Sequence, residues 1–304
     1  MQNLKSLLRP PYWFLRNWRY QLIRAQALAW NWRARSVYEQ LSEADFWATR
    51  RSDTLFIFGS GASVNDIPPQ EWAAMAAHDT LSFNWFIHQD FIRIDYHIIR
   101  ELLQAEAFQR PLWEAEARHY ATTLEANPHY QDTLLLIQGG WLALTGNRLV
   151  GLRMFRPGRR IFRFHNQRVP AGGRVLPNAR LADGLVHHLG TLSDALNIAY
   201  AGGWRRAVLV GVDLYDRRVF WLPPDELRPD YQHPLKGGGV AQIDTPHQTM
   251  LNGLLPFLKD WYAYLGEQGL QVMVYNPRSL LADFMPVYQA EELTHAAHPG
   301  PDSR

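Results

Sequence analysis

The stretch TLFIFGSGAS, residues 54–63, decides how the rest of the chain is read. Leu55-Phe56-Ile57-Phe58 is an unbroken apolar run. A strand with one wet face alternates apolar with polar residues, whereas a parallel strand covered on both faces is apolar throughout. Gly59-Ser60-Gly61-Ala62-Ser63 follows without a spacer. Glycines permit positive φ and close approach of a ligand, and amide groups near a following helix can hold phosphate. A purely structural strand-to-helix turn uses the same residues. The loop also lacks the full dinucleotide fingerprint and the lysine of a P-loop.

Outward from this segment, further strand-like runs occupy residues 80–83, ending at Asn84, and 96–99, ending at Arg100-Glu101. Others lie at 134–137 and 161–164. Residues 192–201 read as a helix stopped by Gly202-Gly203. Residues 207–210 then read as a strand opening into Gly211-Val212-Asp213-Leu214-Tyr215-Asp216. Residues 251–265 read as a helix and 271–275 as a last strand, with Asn276-Pro277 as the stop. The Pro- and Gly-rich stretch 225–244 reads as a long loop of the lid or binding type. Strands alternating with helices predict an α/β domain with a mainly parallel sheet flanked by helices. The expected division is a basic N-terminal helical region over residues 1–50, an α/β catalytic domain over 51–291 and a frayed tail over 292–304.

Composition narrows the class. The 304 residues are 47% hydrophobic, which is globular rather than disordered. There is no cysteine, so disulfides and thiolate metal sites are excluded. A net charge of +2 leaves no whole-protein footprint for nucleic acid, and no nucleic-acid partner is expected. The charge is unevenly placed. Lys5, Arg9, Arg16, Arg19, Arg24, Arg33 and Arg35 precede the first acid, Glu39, and Trp13, Trp18, Trp30 and Trp32 lie among them. Residues 12–41 read as a helix, with Pro10 and Pro11 suited to its first turn. Its apolar pieces are broken by Arg and Pro. They approach neither the roughly 18–20 residues of a membrane span nor the pattern of a signal peptide. Aromatic rings among arginines suit an anionic membrane surface, and they equally suit packing on the main domain or on a partner.

In open parallel sheets, ligands bind outside the carboxyl ends of the strands. Ser60, Asn84, Glu101 and Asp213 fall at such ends. Each has a plain structural reading, since an Asn after a strand is usually a turn residue and an Asp there can cap the next turn. Their convergence is more informative than any one of them.

The ordered series GSGAS, Phe83-Asn84, GTLSDALNIAYAGGWRRAVLVGVDLYD, IDTPH and VYNPRSLLADF resembles the bacterial lipooligosaccharide sialyltransferases from about residue 54 to 284. That family has a Gly-Asn-Gly-x-Ser loop, a Cys-Asn, a Thr-Ser-Gly before a helix, a Ser-Gly-Ile-Asp-Phe-Tyr strand end, a His-containing loop and a Pro-Asn-Ser-Leu-Leu-Ala-Asn-Phe segment. The resemblance implies a Rossmann-like fold and a CMP-sugar donor. Gly59, Ser60, Gly61 and Ser63 would cradle the nucleotide, with Ser60 standing where the family has Asn. Asn84 would lie on the cytidine side, and Glu101 falls near another family Asn. Thr191 and Ser193 lie near the family's Thr-Ser, although the order here is Gly-Thr-Leu-Ser. Asp213 belongs to the strand end. Tyr215 matches a tyrosine that donates to the leaving phosphate. A second family tyrosine is Trp221 here, with Arg217, Arg218 or Tyr231 as substitutes. His247 would be the general base. The N-terminal helix lies outside the resemblance.

The chemistry agrees with these assignments. A histidine titrating near neutrality suits removal of a hydroxyl proton, and phenol or guanidinium donors suit a departing phosphate. A monophosphate leaving group carries less charge than a diphosphate, so no metal and no cofactor are expected. His233, in the lid-like loop, is the rival base. His97, in a strand, reads as packed. His187-His188 reads either as a ligand-facing or pH-sensitive pair or as helix surface. Trp221 reads as a sugar-stacking ring or a loop anchor.

The expected protein is therefore an inverting glycosyltransferase. It moves an acidic sugar of the sialic acid or octulosonic acid type to a cell-surface glycan or glycolipid. It works in the bacterial cytoplasm, peripheral to the inner membrane through its N-terminal helix, and a homo-oligomer is compatible with it. Two other readings remain open: a Mg²⁺-dependent enzyme like a pterin pyrophosphokinase, and a non-catalytic membrane-surface assembly protein.

Overall fold

The computed structural model describes residues 9–100, 110–141, 143–167, 175–188, 190–215, 218–223, 232–234, 240–242 and 253–289. Helix α1 spans Arg9–Ala34, and a 3₁₀ turn, Arg35–Val37, leads into the edge strand β1, Glu39–Gln40. The helix read over 12–41 therefore ends early. Glu39 and Gln40 instead extend the sheet, pairing in register with Arg160 and Ile161. The short helix α2, Glu43–Ala48, starts at a capping box in which Ser42 and Asp45 satisfy each other's backbone amides. Its Phe46 is fully buried. Residues 39–48, placed in the N-terminal region on sequence grounds, thus pack into the α/β layers.

The core strands are β2 (Thr54–Phe58), β3 (Asp79–Phe83), β4 (Tyr96–Ile99), β5 (Leu134–Gln138) and β6 (Arg160–Phe164). Two more follow, β7 (Arg206–Val210) and, after a separate ribbon, β10 (Gln271–Val274). The helices are α3 (Pro69–Met75), α4 (Arg110–Ala126), α5 (Leu144–Gly151), α6 (Thr191–Ala201) and α7 (Leu254–Glu267). Eight strands form one sheet in the order β1-β6-β5-β4-β3-β2-β7-β10, and every neighbouring pair is parallel.

Strand periodicity divides the apolar residues into two cores. Phe56, Phe58, Leu135, Ile137, Val208 and Val210 face α3, α4 and α5. Leu55, Ile57, Leu134, Leu136, Ala207 and Leu209 face α2, α6 and α7. The unbroken apolar runs are thus explained by helices on both faces. Helix α1 lies against α5, close enough that a methyl on Gly151 would sit 2.6 Å from Trp30 Cβ.

The stretch read as a long loop contains a short antiparallel ribbon, β8 (Gln232–Pro234) with β9 (Val240–Gln242). In sequence, Leu235-Lys236-Gly237-Gly238-Gly239 separates the two strands.

From β2 the chain steps through β3 to β6 in one direction, then returns to lay β7 on the other side of β2. This is a topological switch point, the place where open parallel sheets form a crevice. The fold is Rossmann-like.

Candidate functional site

The loops after β2 and β7 meet across the switch point. Gly59 N donates to Val210 O and Gly61 N to Gly211 O, both at 2.8 Å, so the two chains stay paired beyond their strands. Gly211 has φ +66°, a conformation that disfavours any side chain. A methyl on Gly61 would lie 2.3 Å from the Asp213 carboxylate, so this glycine leaves room for that side chain. The loop then enters a 3₁₀ turn, Ala62–Asp66, and the next α-helix begins only at Pro69. The glycines serve close approach between backbones, and the expected helix terminus directly after the loop is absent.

Asp213 is the hub of this crossing. Its Oδ2 accepts from the Ser63 amide at 3.0 Å, and its Oδ1 accepts from the Ser63 hydroxyl at 2.5 Å. Asn276 Nδ2, from the loop after β10, donates to the same Oδ1 at 2.8 Å and to the Tyr215 hydroxyl at 3.3 Å. Ser279 Oγ donates to Val212 O at 2.7 Å and closes the β7 and β10 loops together. Ser63 and Asp213 are buried, and Tyr215 is half-buried. The Ser60 hydroxyl is buried without a hydrogen-bond partner among the described residues, which leaves an open donor and acceptor in the loop.

One strand over, Asn84 ends β3 in the left-handed region at φ +55°. Its Oδ1 accepts from Thr191 Oγ1, in the first turn of α6, at 3.3 Å. Its carbonyl accepts from the Tyr120 hydroxyl at 3.0 Å. Behind Tyr120 runs a buried chain: His97 Nε2 lies 2.5 Å from the Tyr120 hydroxyl, and His97 Nδ1 lies 2.6 Å from Ser82 Oγ. Because Tyr120 donates to Asn84, it accepts from Nε2–H, and Ser82 then donates to a bare Nδ1. His97 is fully buried and packed, as its strand position predicts. Burial, with Arg159 nearby, pushes its pKa down to about 3.

Further along the edge, Arg100 ends β4 and is buried against Asp194 of α6. Arg100 Nη1 lies 2.9 Å from both carboxylate oxygens. His187 Nδ1 lies 2.8 Å from Asp194 Oδ2. With its amide oriented so that the oxygen faces Arg100, Asn166 accepts from Arg100 Nη1 at 3.2 Å and Nη2 at 3.1 Å, and from Gln138 Nε2 at 3.2 Å. Ser193 is spent locally, accepting from the His188 amide at 2.9 Å and donating to Gly190 O at 2.8 Å.

The carboxyl edge therefore gathers Gly59, Ser60, Gly61, Ser63, Asp213 and Tyr215 around the switch point, with Asn84 and Thr191 beside them. Glu101, His247, Arg217 and Tyr231 lie outside the described residues, and so does the side chain of His233. Trp221 stacks on His88 at 5.2 Å between ring centroids, the anchoring role open to it on sequence grounds. Sequence reading passed over the Arg100–Asp194 pair and the role of Asn276. The available signal was an aspartate in the first turn of a helix rich in Leu, Ala and Ile, a position where burial requires a partner. Among the described residues, no three His, Asp or Glu side chains are grouped to hold a metal ion.

No protein-family model matches this chain, and no curated protein does. Solved structures do match. MAf glycosyltransferase from Magnetospirillum magneticum AMB-1 aligns at 17% identity over 82% of this chain and 37% of its own, with a TM-score of 0.44. The monofunctional alpha-2,3-sialyltransferase Cst-I from Campylobacter jejuni aligns at 14% identity over 79% of this chain and 81% of its own, also with a TM-score of 0.44. This chain spans 37% of the length of the first. Likeness at this level does not carry an activity across.

Proposed function

We propose that the protein is an inverting glycosyltransferase that takes an acidic sugar from a CMP-sugar and passes it to a glycan or glycolipid hydroxyl. One observation carries this reading. The loop after β2, Asn84 after β3, the Gly211–Tyr215 segment after β7 and the Asn276 loop after β10 lie along one edge of the sheet; Asp213 ties the β2, β7 and β10 loops, and Asn84 is bonded to Thr191 of α6. These are the segments on which the resemblance to lipooligosaccharide sialyltransferases rests.

In this reading the nucleotide lies over Gly59-Ser60-Gly61, with Asn84 on the cytidine side. Tyr215 donates to the phosphate as the anomeric C–O bond breaks, and CMP leaves with the electron pair. The acceptor oxygen forms the new C–O bond and gives its proton to a histidine. The departing monophosphate needs no divalent ion, so transfer survives EDTA. The enzyme acts at the inner face of a bacterial membrane.

A third histidine joins His247 and its rival His233 as a candidate for the proton. His247 is the assignment the resemblance supports. His187 is favoured by a specific observation: Asp194, itself fully buried, holds its Nδ1 and thereby directs Nε2 away from the carboxylate. The test is a nucleotide panel followed by two substitutions. CMP should raise the melting temperature more than CDP, UDP, GDP or ATP, without Mg²⁺. Preference for ATP with Mg²⁺ would overturn the donor assignment. His247→Ala should lower turnover by a factor of about 10²–10⁴ with CMP binding unchanged. If His187→Ala shows that loss and His247→Ala does not, the base is His187.

A further inference from the structure

Helix α1 turns an apolar stripe away from the domain. Trp18, Leu22 and Trp32 are 58%, 52% and 63% exposed. Ala25 and Ala29 are exposed between them. At 3.6 residues per turn, these five positions fall within a stripe about 80° wide and about 21 Å long. The opposite face carries Ala27 and Ala34, each 1% exposed, and Trp30, which packs at Gly151. The helix is therefore already seated on α5 by its other side, and seating it leaves the stripe uncovered among the described residues.

The stripe continues towards the site. Trp141, 47% exposed, lies in the loop after β5, at the sheet's carboxyl edge, and its indole N–H donates to Gln21 Oε1 on α1 at 3.1 Å. Arg33 and Arg35 are exposed at the far end of the stripe, and the Arg35 guanidinium lies 5.0 Å from the centre of the Trp32 ring. Charge sets the sign of whatever covers this face. Seven cations and no acid occur before Glu39.

We infer that this face docks on a bilayer surface rich in anionic lipid. The tryptophans and Leu22 sit at the headgroup–acyl boundary, and the arginines contact headgroup phosphates. A basic, Trp-bordered apolar stripe suits this occupant because indole presents an apolar body and a polar N–H at the same interface. No helix among the described residues is long and apolar enough to cross a membrane, so α1 lies along the surface. The surface stands independently of the catalytic assignment. Its consequence for substrate rests on the glycosyl-transfer reading: with Trp141 at the carboxyl edge, the acceptor is carried by a lipid in the same bilayer.

The test is co-sedimentation of the full chain with vesicles of phosphatidylglycerol mixed into phosphatidylcholine, beside pure phosphatidylcholine. Binding is expected to the anionic vesicles, to fall with salt, and to shift tryptophan emission to the blue. The triple variant Trp18→Ser, Leu22→Ser, Trp32→Ser should bind about tenfold more weakly or worse, since these side chains supply the buried apolar area. They are exposed in the free protein, so its melting temperature and its shift with CMP should stay as in the parent. Failure of the parent to bind anionic vesicles overturns the inference, as does equal binding by the triple variant. A concentration-dependent dimer that the triple variant abolishes would assign the face to a second copy and overturn it too. A parent that binds vesicles but not CMP would sink the glycosyl-transfer reading and leave the docking face intact.

Discussion

Ser63 and Asp213 meet across the switch point through two hydrogen bonds, one from the serine amide at 3.0 Å and one from its hydroxyl at 2.5 Å. With Asn276 donating to the same carboxylate, three donors from the β2 and β10 loops converge on a side chain from β7 that is 4% exposed. Asp213→Ala strands all three. Hydrogen bonds to a charged partner contribute about 1.5–3 kcal/mol each and do not add fully, so a loss of about 3–5 kcal/mol is expected in urea unfolding. Ser63→Ala removes one of them and should cost about 1–2 kcal/mol. Equal costs for the two variants would contradict the convergence.

Asp194 and Arg100 form a buried pair, with side chains 0% and 8% exposed. Removing one partner leaves an uncompensated charge, so Asp194→Ala should cost about 3–5 kcal/mol. The double variant Arg100→Met with Asp194→Leu replaces both charges by apolar groups and should be more stable than Asp194→Ala alone. Measured unfolding midpoints in the opposite order would mean that the arginine reaches solvent when its partner is lost.

His97 makes folding sensitive to acid. Its folded pKa lies near 3, below the ordinary 6.5 of an unfolded chain. Below pH 6.5 the unfolded state binds a proton that the folded state refuses. Stability from this group is therefore complete above pH 6.5 and drains away as pH falls towards 3, at up to about 1.4 kcal/mol per pH unit. The imidazole resonances of folded protein should show His97 neutral at pH 5. A midpoint near 6 would break the donor order from Ser82 through His97 and Tyr120 to Asn84.

Tyr215 separates chemistry from folding. Its hydroxyl receives a 3.3 Å bond from Asn276, whose amide is already satisfied by Asp213. Tyr215→Phe should thus leave the melting temperature nearly unchanged. If the phenol supports the leaving phosphate, kcat should fall about 10²-fold, the scale of losing one such donor. An unchanged kcat would remove Tyr215 from the reaction.

The strands were legible in the sequence because each is a local pattern. Residues 55–58 and 207–210 are apolar on both faces, and that alone implies helices above and below. The strand-end polar residues were legible because Ser60, Asn84 and Asp213 lie just past the ends of β2, β3 and β7. The N-terminal helix was legible as basic and aromatic, but its end was not. Residues 39–40 join the sheet only because β6, about 120 positions later, offers an unpaired edge.

Tertiary structure alone decided the partners. Ser63 lies 150 positions from Asp213, Asp213 lies 63 from Asn276, and Arg100 lies 94 from Asp194. No local period encodes such separations. They follow from the strand order, which sets β7 rather than β3 on one side of β2 and so turns Gly59, Gly61 and Gly211 towards one another. The same holds for α1: its sequence specifies which residues are apolar, and only its seat on α5 determines which of them are left facing out. Hydrogen bonds and apolar contacts act over a few ångströms, so the chain must first be brought together before they can choose their partners.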